Sequence, residues 1–318
     1  MQNFCTYFDI NYLHRGLALY NSLEKTGEPF TLWILCFDEQ TYDIINKLAL
    51  PHVKSISERE FEKGDDSLVA TKSKRTRVEY YWTSTPSLPL YIFRQDNSIN
   101  LLIYLDADIF FYSSPKAITD ELGDNSILII PHDYSLEYEA HIEAGIYNVG
   151  IIAFRRDTNG IASLNWWRER CIEWCYSKYE NGHIGDQTYL NDFPGKFEKV
   201  KVSSNIGINA APWNVAKYGL KRDDKGNLFI AETSLVCFHF HAMKFSASWL
   251  AYIGTAKINI PTSILAIVYQ PYIAALISAR KQLIKNNYKI DFKTSGIPWR
   301  YIAGRLMRRK PVRHFMWV

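Results

Sequence analysis

Apolar runs of strand length alternate with amphipathic stretches along most of this 318-residue chain. Phe4-Cys-Thr-Tyr-Phe8 predicts a first strand. Tyr12–Leu23, apolar at positions 13, 17, 20 and 23, predicts a helix. Phe30–Cys36 is a near-continuous apolar run, Thr41–Leu48 predicts a short helix and Val53–Ile56 a third strand. Residues 57–75 are polar and read as loop or short helix. A helix is expected over Arg77–Thr83, with a break near Pro86 and Pro89 and a resumption to Arg94. Leu101–Leu105, Ser126–Ile130, Gly150–Phe154 and Leu235–His239 read as further strands. Leu164–Tyr179 reads as an amphipathic helix whose stripe of Trp167, Cys171, Trp174 and Cys175 belongs to a core. Strands of this buried type, separated by helices, imply an α/β fold. Its sheet is mainly parallel, is covered on both faces and has right-handed crossovers.

The pattern changes near residue 250, which divides a main domain, 1–250, from a helical, basic C-terminal appendage, 251–318. Ile258 to Ala279 carries no charge and is long enough to span a bilayer, but it contains Pro261, Gln270 and Pro271. Two helices flanking Pro271 and packed on the main domain are the expectation. The end of the chain, Arg305 to Arg313, is basic and ends near Trp317. It reads either as a solvated tail or as a segment lying on an anionic membrane surface.

Composition adds limits. A net charge of +4 is too small to argue for nucleic acid. Aromatic content of 15 % is high, and core packing accounts for it as readily as sugar contacts do. Five cysteines without a framework argue against a disulfide scaffold and for a reducing compartment. Cys171 and Cys175 lack the further Cys or His that a structural zinc would need. The N-terminus shows no basic and apolar leader pattern, so a cytoplasmic location is expected.

The chemistry concentrates at Asp106-Ala107-Asp108, where the run Leu101–Leu105 ends. Asp is common in turns, so a strand-to-loop turn is one reading. Two carboxylates at the mouth of a buried strand repel each other unless a cation lies between them, which points instead to a divalent ion shared with substrate phosphates.

Several other segments join this motif in order. Phe4-Cys-Thr-Tyr-Phe-Asp9 is followed by Tyr12-Leu-His-Arg-Gly-Leu-Ala-Leu-Tyr-Asn-Ser-Leu23. Then come Tyr104-Leu-Asp-Ala-Asp108, Gly145-Ile-Tyr-Asn-Val-Gly150, Gly185-Asp-Gln-Thr-Tyr-Leu-Asn191 and Phe238-His-Phe-His-Ala-Met-Lys244. Together they resemble the GT-A glycosyltransferases, above all glycosyltransferase family eight, the glycogenin and lipopolysaccharide galactosyltransferase group. The chain also resembles bacterial nucleotide-diphospho-sugar transferases that share Asn165-Trp-Trp-Arg-Glu-Arg-Cys171. It departs from the family in carrying Ala242 where a late Gly is usual, in lacking Lys-Pro-Trp after Lys244, and in a longer spacing before the D-x-D strand than in glycogenin.

The resemblance implies a nucleotide-sugar site. Thr6, Tyr7, Phe8 and Asp9 would hold the base, and Asp106, through the Asp106-Ala107-Asp108 turn, would bind metal, ribose or both. Asp108 and His239 would complete the shell of a Mn²⁺ or Mg²⁺ ion, with His241 as the alternative imidazole. Lys244 and Arg77, or Lys74 or Arg75, would face the diphosphate. Asn148 would bind donor-sugar hydroxyls, and Asp186 and Gln187 would lie at the anomeric carbon or grip the sugar. Glu143, Asp133 and His132 are further candidates, each read first as a loop residue.

The expected activity is transfer of a sugar from a UDP-linked donor to a hydroxyl of a glycan or lipid-linked glycan, with retention. A sugar nucleotidyltransferase is one alternative, although the Gly-rich basic N-terminal loop usual in that class is missing. A non-catalytic binding protein of the same fold is the other. The expected partners are the donor, the acceptor and a peripheral membrane contact, with no nucleic acid.

Overall fold

The computed structural model describes residues 1–136, 142–247, 250–253, 262–288 and 315–317. Its central sheet is built from β1 (Gln2–Phe8), β2 (Phe30–Cys36), β3 (Val53–Ser57) and β4 (Leu101–Leu105), then β6 (Ile127–Pro131), β7 (Tyr147–Arg155) and β8 (Val200–Val202). A short strand, β5 (Ile109–Phe111), lies outside it. The seven strands run in the order β3-β2-β1-β4-β7-β6-β8. Four of the six pairings are parallel, while β7 runs antiparallel to both β4 and β6.

The near-continuous apolar runs follow from burial on both faces. Phe4, Phe8, Leu32, Ile34 and Cys36 enter one core. Their neighbours Cys5, Trp33, Leu35 and Phe37 enter the other. Helix α1 (Leu13–Thr26) covers the first core and stops at Gly27, whose φ of 71° suits a residue without Cβ. Helix α2 (Glu39–Leu48) starts where the Asp38 carboxylate accepts the Thr41 N–H at 2.7 Å.

Helix α3 (Arg77–Ser84) opens with a capping box between Thr76 and Glu79. The next helix, α4 (Ser87–Gln95), corrects one expectation. Pro89 does not break it, because Pro89 falls in its first turn, where no backbone N–H is required.

The helix expected over Leu164–Tyr179 also shifts. As α5 it spans Thr158–Glu173. Asp157 starts it early by accepting the Gly160 N–H at 2.9 Å. Gly160 is itself required, since a Cβ there would lie 2.0 Å from the Arg155 carbonyl oxygen. Trp174 and Cys175 fall past its end. Trp167, Cys171 and Cys175 are buried, and Trp167 packs on Phe154 and Phe193, so the stripe serves the core.

Strand β9 (Cys237–His239) pairs antiparallel with β5. Of the expected appendage 251–318, the described part is mainly helix α6 (Gln270–Lys285). It continues directly from a π-helical turn at Leu265–Tyr269, and Pro271 sits in its first turn. The two helices expected on either side of Pro271 are therefore one helical run. It packs on α1, and Tyr272 stacks on Phe240 with ring centroids 3.8 Å apart. No described helix is long and apolar enough to cross a membrane. The basic run Arg305–Arg313 lies outside the described residues.

Candidate functional site

The site forms where β4 ends. Asp106 donates its N–H to the Gly150 carbonyl at 2.9 Å, and the chain turns through Ala107 so that Ile109 N–H reaches the Asp106 carbonyl at 3.1 Å. Strand β5 then leaves the turn and pairs with β9 in a register that sets His239 opposite Ile109. One bond beyond, Phe240 N–H meets the Asp108 carbonyl at 2.9 Å. This pairing brings an imidazole from the far end of the domain to the two carboxylates. His239 Nε2 lies 3.2 Å from Asp108 Oδ1 and 3.5 Å from Asp106 Oδ2. One donor atom from each residue falls within 4.8 Å of the other two. Two carboxylate oxygens and one imidazole nitrogen converging from a turn and a strand suit a divalent ion that takes O and N ligands.

The two carboxylates are not equivalent. Burial would lift the Asp108 carboxyl, but the His239 imidazole and the Arg15 guanidinium, 3.6 Å from Oδ2, hold it below the usual carboxylate range. Desolvation pushes Asp106 upward and Asp108 adds to the rise, against His239 and against the Tyr104 hydroxyl that donates to Asp106 Oδ1 at 2.8 Å.

His239 is confined from behind. A Cβ on Gly150 would lie 2.5 Å from His239 Nδ1, so this position must be glycine for the ring to sit where it does. Asn148, two residues earlier on β7, spends its amide on the backbone. Its Nδ2 donates to the Ile130 carbonyl at 3.2 Å and its Oδ1 accepts the Gly150 N–H at 3.1 Å. Asn148 thereby ties β6 to the strand that shapes the His239 pocket.

Asp186 stands on the other flank. It is 6 % exposed. Burial raises its carboxyl to about 7, with Asp106 adding to the rise and the adjacent Thr85 hydroxyl opposing it. Thr85 also meets the Tyr7 hydroxyl at 3.1 Å. The Tyr7 ring packs among Phe37, Tyr81 and Tyr104. The loop carrying Asp186 is held by Trp167, whose indole N–H donates to the Asp186 carbonyl at 2.8 Å. Gln187 donates its side-chain amide to the Ala144 carbonyl at 2.5 Å.

Other residues singled out in the sequence lie in varied surroundings. Thr6 is fully buried, and the Phe8 ring lies in the core against Gly16. Asp9 accepts from Asn11 and from the Tyr81 hydroxyl. Arg77 binds that same hydroxyl and the Phe37 carbonyl, which sets it near Asp9. Arg75 lies over the Tyr176 ring. Ala107 is buried within the turn. Lys244 is exposed at the start of the strand Lys244–Ala247.

His241 meets His239 and Trp213 edge-on, at 5.9 Å and 5.6 Å between ring centroids. Glu143 is exposed. Asp133 is a hydrogen-bonded loop residue held by Lys217 and the Tyr218 hydroxyl. His132 is buried and stacked on Tyr134, and burial lowers its imidazole to about 3.

A cavity of about 490 Å³ is lined in part by Asp133, Tyr134, Ile142, Ile146, Asn209 and Tyr218. Asn209 also borders a separate small space against Asn148, Trp213 and His239.

Sequence reasoning passed over Arg15, Thr85 and Asn209. Arg15 alone left a trace, as a cation in the first turn of a helix, where the positive end of the macrodipole disfavours it.

No family model matches the chain. Over 246 residues it is 30 % identical to the uncharacterized protein YfnF of Bacillus subtilis strain 168, covering 74 % of this chain and 80 % of that one. The chain belongs to the YfnF family. It is also 27 % identical over 283 residues to the uncharacterized protein YfnD of the same organism, covering 86 % of this chain and 88 % of that one. Among solved structures, the galactosyltransferase LgtC in complex with donor and acceptor sugar analogs matches with a TM-score of 0.56. The match covers 95 % of this chain and 99 % of that chain at 13 % identity. At that identity the likeness is one of fold. The YfnF-family chain thus has the GT-A glycosyltransferase fold, of the kind seen in glycosyltransferase family eight.

Proposed function

We propose that this protein is a divalent-metal-dependent glycosyltransferase that moves a sugar from a UDP-linked donor to a hydroxyl of a glycan or lipid-linked glycan. The observation that carries the reading is the meeting of Asp106, Asp108 and His239 at the carboxyl edge of a GT-A sheet, where open α/β sheets bind ligands. A bound Mn²⁺ or Mg²⁺ would supply positive charge to the departing diphosphate.

The chain's own groups do the rest. Asp108 stays ionised beside His239 and Arg15, and so serves as a ligand rather than a proton carrier. Asp106, fixed by Tyr104, holds the metal or the ribose. Tyr7 and Asp9, with Arg77 close by, bound the base pocket, and Lys244 draws in phosphate oxygens. Asp186, near neutral in its buried pocket, grips donor-sugar hydroxyls together with Gln187, and Asn148 keeps the strand beneath them in register. The cavity between Tyr134 and Tyr218 takes the acceptor sugar, whose apolar ring face suits aromatic walls. The likeness to glycosyltransferase family eight supports retention at the anomeric carbon, and the configuration of the product tests it.

Mn²⁺-dependent hydrolysis of a UDP-sugar, and its loss in Asp108→Ala, tests the reading. A wild-type protein that neither binds nor hydrolyses any nucleotide sugar would sink it. Binding without turnover in the presence of acceptor glycans would leave a binding protein of the same fold. Membrane contact through Arg305, Arg308, Arg309, Lys310 and Arg313 is proposed separately. Changing all five to Gln should abolish co-sedimentation with anionic vesicles, and unchanged partitioning would refute the contact.

A further inference from the structure

Arg15 lies in the first turn of α1 and is 7 % exposed. This is a costly place for a cation. The N-terminal end of a helix is positive, and α1 has neither an acidic residue in its first turn nor a side-chain cap. Burial of the guanidinium adds a desolvation cost. Three contacts offset these costs. Nη1 lies 3.6 Å from Asp108 Oδ2, Nη2 donates to the Met243 carbonyl, and the guanidinium sits 4.3 Å from the centre of the Tyr12 ring.

Asp108 is therefore shared. Oδ1 faces His239 and the ligand cluster, while Oδ2 faces Arg15. The charge count shows what this arrangement does. Asp106 and Asp108 together carry two negative charges, which a divalent ion would cancel. With Arg15 included, the loaded group carries one net positive charge in a partly desolvated setting, where charge is felt strongly.

We propose that Arg15 is a positioning residue that acts through Asp108. It weakens the hold of the empty carboxylates on a bare metal ion and strengthens the hold of the loaded cluster on a diphosphate. Metal and diphosphate then enter as a pair, and neither is bound tightly alone. The inference rests on the metal–donor reading above and deepens it.

The test is a pair of binding constants on the full chain. Free Mn²⁺ is measured by electron paramagnetic resonance, and UDP by calorimetry at saturating Mn²⁺. Arg15→Gln keeps a donor for the Met243 carbonyl but loses the charge. It should bind Mn²⁺ alone several-fold more tightly and UDP about tenfold more weakly, opposite shifts that follow from one removed charge. Arg15→Lys keeps the charge and should hold both constants within about threefold of wild type.

A structural ion pair alone would weaken both constants together in Arg15→Gln, or leave both unchanged, and either result overturns the inference. Should Arg15→Gln fail to fold, a tenfold loss of UDP affinity in a folded Arg15→Lys would overturn it as well. If wild-type protein binds neither Mn²⁺ nor UDP, the metal–donor reading itself has failed, and this inference falls with it. That outcome is visible before any variant is made.

Discussion

Asp108 and Asp186 are buried carboxylates on two flanks of the same site, and their surroundings pull them in opposite directions. Burial alone would raise both. Asp108 has an imidazole and a guanidinium within reach and remains ionised. Asp186 has neutral hydroxyl neighbours and the like charge of Asp106, and rises to about 7. The same residue type therefore takes two charge states, set by its neighbours. One carboxylate is kept charged, the state a metal ligand needs, and the other titrates near pH 7, where it can donate as well as accept a hydrogen bond.

The largest expected effect lies on the charged flank. Asp108→Ala should lower Mn²⁺-dependent UDP-sugar hydrolysis about a thousandfold, measured as UDP release, because the proposed metal ligand and the ion-pair partner of Arg15 go together. Asp108→Asn separates charge from shape. Hydrolysis near wild type in that variant would break the contrast between the flanks.

The second effect belongs to Asp186 and concerns stability. Its folded pKa of about 7 lies above the ordinary unfolded value, so the folded state binds the extra proton. The stabilisation is complete below about pH 4 and is lost as pH rises through about 7, on the order of 4 kcal/mol in all. Asp186→Asn should match wild type near pH 4 and exceed it by that margin near pH 8, read from denaturant melts in metal-free buffer. Identical pH slopes in the two proteins would show that Asp186 is not held neutral.

A smaller effect sharpens the geometry of the charged flank. Gly150→Ala puts a Cβ against His239 Nδ1 and should cost about tenfold to a hundredfold in Mn²⁺ affinity through the displaced imidazole. Affinity unchanged in a folded variant would remove His239 from the ligand set. The smallest effect is on the Asp186 loop. Trp167→Phe deletes the hydrogen bond to the Asp186 carbonyl and should cost about 1 kcal/mol of stability, with most of the core packing kept.

Legibility in the sequence varied with the range of the interaction. Strand β2 is readable residue for residue, because a strand buried on both faces needs an apolar side chain at nearly every position. The D-x-D turn is readable because its carboxylates adjoin such a strand. Helix α5 is misplaced from sequence because Asn159 and Gly160 are poor helix formers. The Asp157 cap and the close pass of Gly160 over Arg155 start the helix anyway. The direction of β7 has no local signature, since an apolar run reads alike in both senses. Asn148 is recognisable as a site candidate by motif, yet its amide is spent on backbone groups, which pattern alone does not reveal.

The sequence by itself determined the alternating strand and helix pattern, the two-sided core and the identity of the groups available for chemistry. These depend on side-chain type and on spacing within one or two elements. Only the tertiary structure decided which of those groups meet. The β5–β9 register carries His239 to Asp106 and Asp108, α1 delivers Arg15 to the far oxygen of Asp108, and Trp167 of α5 holds the buried loop that carries Asp186. Charge state follows from these meetings, because a carboxylate's proton affinity is set by what lies within a few ångströms of it in space, whatever the distance along the chain.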